Sequence, residues 1–172
     1  MGNTNELNIV DCIDNLAIVV RDCDLSEEII SKYQKGQIIK EPGFCEANYI
    51  LGGFPCNCRF AIFSNRFKEF PAVEKVRGIC FVESGARFKV VDVIKGEGKT
   101  EIVLLHLPDD ERWKNFQGLT YIIESKIAMI ANRNFESLVV AQPVEELSTK
   151  EILNKFKRPL GLDKDWNFVD IN

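Results

Sequence analysis

Short strands are the main pattern in the first two thirds of the chain. Residues 16–20 read Leu-Ala-Ile-Val-Val, an apolar and β-branched run that favours a buried strand. Residues 87–95 and 100–107 are two runs rich in apolar and β-branched residues on either side of Gly96-Glu-Gly98, which predicts a long hairpin over 87–107 with its turn at the glycines. Further apolar runs predict strands at 48–51, 59–64 and 78–83.

A helix is predicted after the first strand. Asp24 or Ser26 can cap its amino end. Glu27-Glu28 lie in the first turn, where carboxylates suit the positive end of the helix dipole. Gly36 ends the helix, and the chain is then expected to run extended over 37–40.

The pattern becomes mainly helical after Pro108. Asp109-Asp110 can cap a short helix that runs to Phe116. Residues 121–131 place isoleucines close to helical spacing, although so many isoleucines leave a strand as the alternative. A short strand is expected at 138–141.

The last part of the chain is predicted to dock on the body of the protein. Ser148-Thr-Lys-Glu151 has the form of a capping box, and the helix that it opens ends before Pro159. The tail that follows carries Trp166 and Phe168, whose apolar rings favour contact with the core.

Length and composition indicate one folded domain. The chain has 172 residues, of which 45% are hydrophobic and 28% are charged, so it can bury a proper core. We predict a single domain over 1–172, with a sheet-rich core at 16–107 and a mainly helical appendage at 108–172. The net charge of −4, with basic and acidic residues interleaved, argues against a nucleic-acid partner.

No apolar stretch is long enough to span a bilayer. The amino-terminal residues lack the basic start and apolar centre of a signal peptide. We therefore predict a cytoplasmic or otherwise intracellular protein without membrane association.

The cysteines favour reduced core thiols over disulfides or a metal site. A zinc site would need Cys56 and Cys58 together with Cys45 and Cys80, and only one close pair is present instead of the paired spacing of structural zinc sites. We expect no metal and six reduced thiols, at Cys12, Cys23, Cys45, Cys56, Cys58 and Cys80.

Two segments carry a family resemblance. The stretch VVRDCDLSEEIISKYQKGQIIKEPGF has an arginine, Arg21, at the end of an apolar strand, then a helix, then Gly43-Phe44. The stretch FVESGARFKVVDV contains Gly85-Ala-Arg-Phe-Lys-Val90. The first segment resembles the front of a mono-ADP-ribosyltransferase domain, and the second is similar to the strand pair that follows the catalytic glutamate in that family. The resemblance covers about residues 17–107. It implies an α+β fold with split mixed sheets around an NAD cleft, followed by a helical carboxyl-terminal part.

The resemblance also implies site residues. Arg21 would clamp the NAD pyrophosphate, with Phe44 and Cys45 beside the cofactor. The alternative for Arg21 is a structural ion pair with a nearby acid. Cys45-Glu-Ala47 stands where the family has Ser-Thr-Ser, and a thiol replaces that serine poorly. Cys45 as a nucleophile would need a base beside it.

The catalytic Glu-x-Glu of the family falls on Arg77 and Ile79. Neither side chain can supply the missing carboxylate, and Glu74 and Glu83 flank the position as candidates for the catalytic role. The single histidine, His106, lies in an apolar strand and is expected to be structural.

Two functions follow from these observations. The first is an NAD-related ADP-ribosyltransferase-like domain with weak or no transferase activity. The second is a non-catalytic protein-interaction domain, such as an inhibitor or an immunity-type partner. Both imply a protein partner or target.

Overall fold

The computed structural model describes residues 15–69, 78–118 and 122–172. The predicted α+β class is confirmed, because eight strands of one mixed sheet are accompanied by helices that lie mainly after the last strand. The strands are β1 Ala17–Cys23, β2 Ile38–Lys40, β3 Cys45–Asn48, β4 Cys58–Ser64, β5 Lys68–Glu69, β6 Ile79–Val82, β7 Arg87–Lys95 and β8 Thr100–His106. The α-helices are α1 Glu27–Ile30, α2 Ile122–Leu138 and α3 Lys150–Phe156, with 3-10 turns at Glu111–Phe116 and Glu145–Leu147.

The strand order is β2-β7-β8-β4-β1-β3-β6-β5. The β4–β8 pair is parallel, and the other described pairs are antiparallel. The two sheets that the resemblance implied are therefore joined in one hydrogen-bonded order, with β1 and β4 at its centre. This order brings β1, β3 and β6 side by side, and these strands carry Arg21, Cys45 and Ile79.

The predicted hairpin is confirmed as β7 and β8. Gly96 N–H donates to the Lys99 carbonyl at 2.8 Å and closes the turn, and Gly98 has a φ of +68° that few other residues adopt. Gly96 also lies against the Phe135 ring, where a Cβ would come within 2.9 Å of a ring carbon. The turn therefore needs glycine both for its backbone and for helix packing.

Two elements near the amino end differ from their predicted lengths. Ser26 caps α1, but the helix ends at Ile30 rather than at Gly36. Strand β3 covers Cys45–Asn48 instead of 48–51, because the Asn48 side chain accepts from Ile50 N–H at 2.6 Å. This local side-chain bond replaces the backbone pairing that a longer strand would need.

The predicted strand at 138–141 is wrong. Helix α2 runs through Leu138, and Val139 N–H still donates to the Phe135 carbonyl. Residues 121–131 are accordingly helical from Ile122, and the strand alternative is excluded there. Helix α3 is confirmed, with Thr149 as its cap in place of Ser148.

The sheet is covered on both faces. One apolar cluster packs α2 against β7 and β8 through Ile127, Ala131 and Val103. The other cluster includes Phe60, Phe88 and the tail residue Leu160. Phe168 packs against this cluster, so the tail docks on the body as expected, but Trp166 is 48% exposed and is not part of the cluster. In the parts of the chain that the structure describes, none of the helices has the length and apolar character needed to cross a bilayer.

Candidate functional site

Arg21 lies on β1 and is bound by main-chain oxygens of its own chain. Its Nη1 donates to the Glu46 carbonyl at 3.2 Å, and its Nη2 donates to the Arg158 carbonyl at 2.7 Å. The residue is 5% exposed, and its Nε has no acceptor among the described residues. The guanidinium is therefore enclosed by β3 and the carboxyl-terminal segment.

Helix α3 covers Arg21. The Phe156 ring centre lies 5.8 Å from the guanidinium carbon of Arg21, within the range of a cation–π contact. Phe156 and Ile152 also form a buried apolar cluster with Ile79. Ile79 stands where the sequence resemblance placed the catalytic glutamate, so an apolar contact with α3 occupies that position.

A buried carboxylate holds the segment that follows α3. Glu41 is 2% exposed, and its Oε1 lies 2.6 Å from Nη2 of Arg158. Its Oε2 accepts from Gly161 N–H at 2.9 Å. The Tyr33 hydroxyl donates to the Leu160 carbonyl at 2.6 Å. Residues 158–161 are thus fixed over the site by one ion pair and by main-chain hydrogen bonds.

The other predicted cofactor residues do not share one accessible surface with Arg21. Cys45 is fully buried, and burial raises the pKa of its thiol to about 12 although Arg21 acts in the opposite direction. The thiol is therefore protonated and unsuited to act as a nucleophile. Phe44 is instead 64% exposed and lies 6.1 Å, centre to centre, from the Phe81 ring.

Glu83 lies elsewhere, on the wall of an open cleft of about 630 Å³. Its carboxylate is exposed and pairs with Lys68 Nζ at 3.3 Å. Arg66 and Asp109 also line the cleft, whereas Arg21 does not. The structure therefore does not bring Glu83 together with Arg21. Glu74, the second predicted catalytic residue, lies outside the described residues.

The described residues do not fit NAD in the way the resemblance implied. The arginine is engaged by two carbonyls, and the thiol is buried beside it. An apolar side chain stands where a carboxylate is needed. For metals, the described ranges contain no group of three or more His, Cys, Asp or Glu side chains arranged to bind an ion.

A buried ion pair adjoins the site on β1 and β4. Arg59 makes a bidentate contact with Asp22 at 2.7 and 2.9 Å and donates to the carbonyls of Gly52 and Gly53. Glu101 is paired with Arg59 in the parallel β4–β8 register, and burial raises its pKa to about 7. These groups hold the loop after β3 against the sheet.

His106 has the contacts of a core residue. Its Nδ1 lies 2.7 Å from the Ser64 hydroxyl, and its ring is tilted against Phe88 at 5.0 Å between centres. Burial lowers its pKa to about 3, so the ring is neutral at physiological pH. A neutral, enclosed imidazole offers no base to Cys45 or to the cleft.

The sequence reasoning missed the residues that cover Arg21. The sequence places Phe156 in the predicted last helix and Arg158 directly before Pro159, and neither position indicates a contact with Arg21. Glu41 carried one weak signal, because it is a lone acid between the extended run 37–40 and Pro42. No local pattern joins these residues to Arg21, since they meet only through the tertiary fold.

No protein-family model and no curated protein matches this chain. Solved structures with a similar fold include the type III effector XopAI from Xanthomonas axonopodis pv. citri, at 16% identity and a TM-score of 0.49 over 56% of this chain and 43% of that one. The ADP-ribosyltransferase HopU1 of Pseudomonas syringae pv. tomato DC3000 aligns at 19% identity and 0.48, over 54% and 45%. The ADP-ribosyltransferase C3larvin from Paenibacillus larvae aligns at 12% identity and 0.44, over 60% and 68%.

The chain is similar to several ADP-ribosyltransferases over somewhat more than half of its length. It spans less than half of XopAI and of HopU1.

Proposed function

We propose that this chain is an ADP-ribosyltransferase-like domain with weak or no transferase activity. In this proposal Arg21, at the position of the family's NAD-binding arginine, stabilises the fold instead of binding NAD. The proposal is supported above all by the surroundings of Arg21. Both of its Nη atoms donate to main-chain carbonyls, at 3.2 and 2.7 Å. An NAD pyrophosphate would have to displace these acceptors and the ring of Phe156.

The position of Ile79 adds to this support. Transfer of ADP-ribose from NAD builds positive charge on the ribose, and a carboxylate normally stabilises such charge. Ile79 has no charge and is buried against Ile152 and Phe156. A ligand at this position would meet an apolar contact instead of a charged one.

Residues 158–161, which cover Arg21, are held in place by buried side chains and by hydrogen bonds. Leu160 and Leu162 are fully buried, and Glu41 bonds to both Arg158 and Gly161. Opening the site would expose these leucines and remove the Arg158 and Gly161 partners of the Glu41 carboxylate, leaving only its bond from Gly43 N–H, which is costly for a buried charge. NAD binding would need to offset that cost.

An active enzyme is the second candidate, and one observation favours it. Glu83 is exposed on an open cleft that also carries Arg66 and Lys68, so it has the access that Ile79 lacks. A catalytic glutamate there would work without Arg21, at a different place from the one that the resemblance implies.

A domain without transferase activity would act through a protein partner, which we retain as part of the proposal. The exposed ring of Phe44 and the exposed side chains of Met129 and Val140 leave apolar surface available for such contacts.

Nicotinamide release from NAD tests the proposal. The chain is compared with Glu83→Gln and with Glu97→Gln, a matched control at the exposed tip of the hairpin. We expect all three proteins to release nicotinamide at the background rate. Release by the unmodified chain that is lost in Glu83→Gln and kept in Glu97→Gln would overturn the proposal and favour the second candidate.

A further inference from the structure

Two buried cysteines are paired at one end of the central strands β1 and β4. Cys23 is the last residue of β1 and Cys58 is the first residue of β4, and the antiparallel register pairs them directly. Both belong to the same buried cluster, and they are 1% and 0% exposed. The fold therefore places the two cysteines directly opposite each other on one face of the sheet.

The backbone spacing at this pair suits a covalent bond. Directly paired residues of antiparallel strands have Cα atoms about 4.5–5.5 Å apart. Disulfides join residues whose Cα atoms are roughly 4.4–6.8 Å apart. We propose that Cys23 and Cys58 form a cross-strand disulfide when the chain folds in the presence of a disulfide oxidant, and that they remain thiols when it folds under reducing conditions.

The other described cysteines are placed less well for this bond. Cys45 lies opposite Val82, and Cys80 lies opposite Ala47, so neither has a thiol directly across from it. Cys56 precedes β4, and its carbonyl accepts from Lys99 Nζ at 2.9 Å. Cys12 lies outside the described residues. Cys23 and Cys58 are thus the pair that the described sheet itself aligns.

The chemistry is a thiol–disulfide exchange with a small disulfide such as oxidised glutathione. One cysteine thiolate attacks the oxidant, forming a mixed disulfide and releasing one small thiol. The second cysteine then attacks the mixed disulfide, forming the Cys23–Cys58 bond and releasing the other small thiol. Two protein thiols are oxidised, one small disulfide is reduced to two thiols, and the two protons end on the small thiols.

Oxidation should take place while β1 and β4 are pairing, before the folded sheet encloses the two cysteines. The attacking species is the thiolate, and in the folded protein the neighbouring thiol and burial raise the pKa of Cys58 far above its usual range. The oxidant also has no direct access to side chains that are almost fully enclosed. The pair is therefore expected to react while the strands are still forming and to be protected once they have formed.

The bond would close a loop that contains α1, β2 and β3. A cross-link of this kind stabilises a protein chiefly by restricting its unfolded chain. It would tie β1 to β4 next to the Asp22–Arg59 ion pair. The oxidised protein should therefore unfold at a higher urea concentration than the reduced protein.

The test is refolding from denaturant in a glutathione redox buffer, followed by alkylation, mass spectrometry and peptide mapping. We expect a product lighter by two hydrogen atoms, with a single linked peptide pair joining Cys23 to Cys58. Folded, reduced protein placed in the same buffer should keep these two thiols for much longer. Cys80→Ala serves as the control for loss of a buried thiol outside the pair.

Refolded Cys80→Ala should still form the bond, whereas Cys23→Ala and Cys58→Ala should not. Peptide mapping of the unmodified chain decides the matter even if a variant folds poorly. A refolded chain that keeps all its thiols, or one that links Cys56 to Cys58 instead, would overturn the proposal. If the folded protein is oxidised as fast as the refolding chain, the folded sheet does not protect the two thiols, and that part of the proposal is wrong.

Discussion

The guanidinium carbon of Arg21 lies 5.8 Å from the centre of the Phe156 ring. This relationship joins the first strand to the last α-helix across the site that the sequence assigned to a cofactor. The same phenylalanine belongs to the buried cluster that contains Ile152 and Ile79. Helix α3 therefore packs both near the arginine and at the position of the missing glutamate, and both positions are part of the buried interior.

Restoring the glutamate should not restore a transferase. Ile79→Glu places a carboxylate in the buried apolar cluster that contains Ile152 and Phe156. Burying an unpaired charge is costly, so we expect a loss of at least about 3 kcal/mol in the free energy of unfolding. Urea denaturation measures this loss.

The matched control is Ile79→Leu, which keeps the volume and should cost less than about 1.5 kcal/mol. Nicotinamide release should stay at background in both variants. A stable Ile79→Glu protein that hydrolyses NAD would show that α3 leaves this position accessible.

The pH dependence of stability should carry a contribution from Glu101. Burial raises the pKa of this carboxyl from 4.5 to about 7 in the folded protein, so the folded state holds its proton more tightly than the unfolded state. The contribution is fully present below pH 4.5 and is lost as the pH rises through about 7. Glu101→Gln should remove this fall, measured as urea unfolding at a series of pH values.

His106 should change the free energy of unfolding with pH in the opposite direction. Its pKa falls from 6.5 to about 3 in the folded protein, so the unfolded state binds the proton more readily. Stability from this group is fully present above pH 6.5 and is lost as the pH falls through about 3, by up to about 1.4 kcal/mol per pH unit. His106→Gln should remove that loss.

Between about pH 5 and 6.5 the contributions of Glu101 and His106 to the free energy of unfolding change with pH in opposite directions. Glu101→Gln should therefore leave a stability that rises with pH, and His106→Gln should leave one that falls. Parallel profiles for the two variants would contradict both assignments. The chain contains one histidine, so no second imidazole complicates the comparison.

Local patterns predicted the elements that depend on near neighbours. The hairpin was evident because glycines at 96 and 98 separate two runs rich in apolar residues, and the observed turn closes there. The end of β3 was misplaced because the bond from Ile50 N–H to the Asn48 side chain competes with pairing and leaves no mark on the apolar pattern. Helix α2 ran past its predicted end because Phe135 packs against the hairpin turn.

The site itself could be predicted only in part. The position of Arg21 at the end of an apolar strand was evident from sequence, as was the lack of a glutamate at Ile79. The burial of both residues depends on α3 and on the Glu41–Arg158 pair, which lie far away along the chain. Contacts between residues so far apart in the chain leave no local sequence pattern. The sequence therefore could not decide whether Arg21 binds a cofactor or has a structural role.

Calorimetric titration with NAD, combined with the stability of Arg21→Ala, tests the central claim most directly. If Arg21 serves the fold, the unmodified chain shows no binding heat at millimolar NAD. Arg21→Ala should then lose roughly 2–4 kcal/mol of unfolding free energy, because the carbonyls of Glu46 and Arg158 lose their donors. Arg133→Ala, an exposed arginine on α2, should change stability by less than about 0.5 kcal/mol. Stoichiometric NAD binding that disappears in an Arg21→Ala protein of unchanged stability would contradict the account.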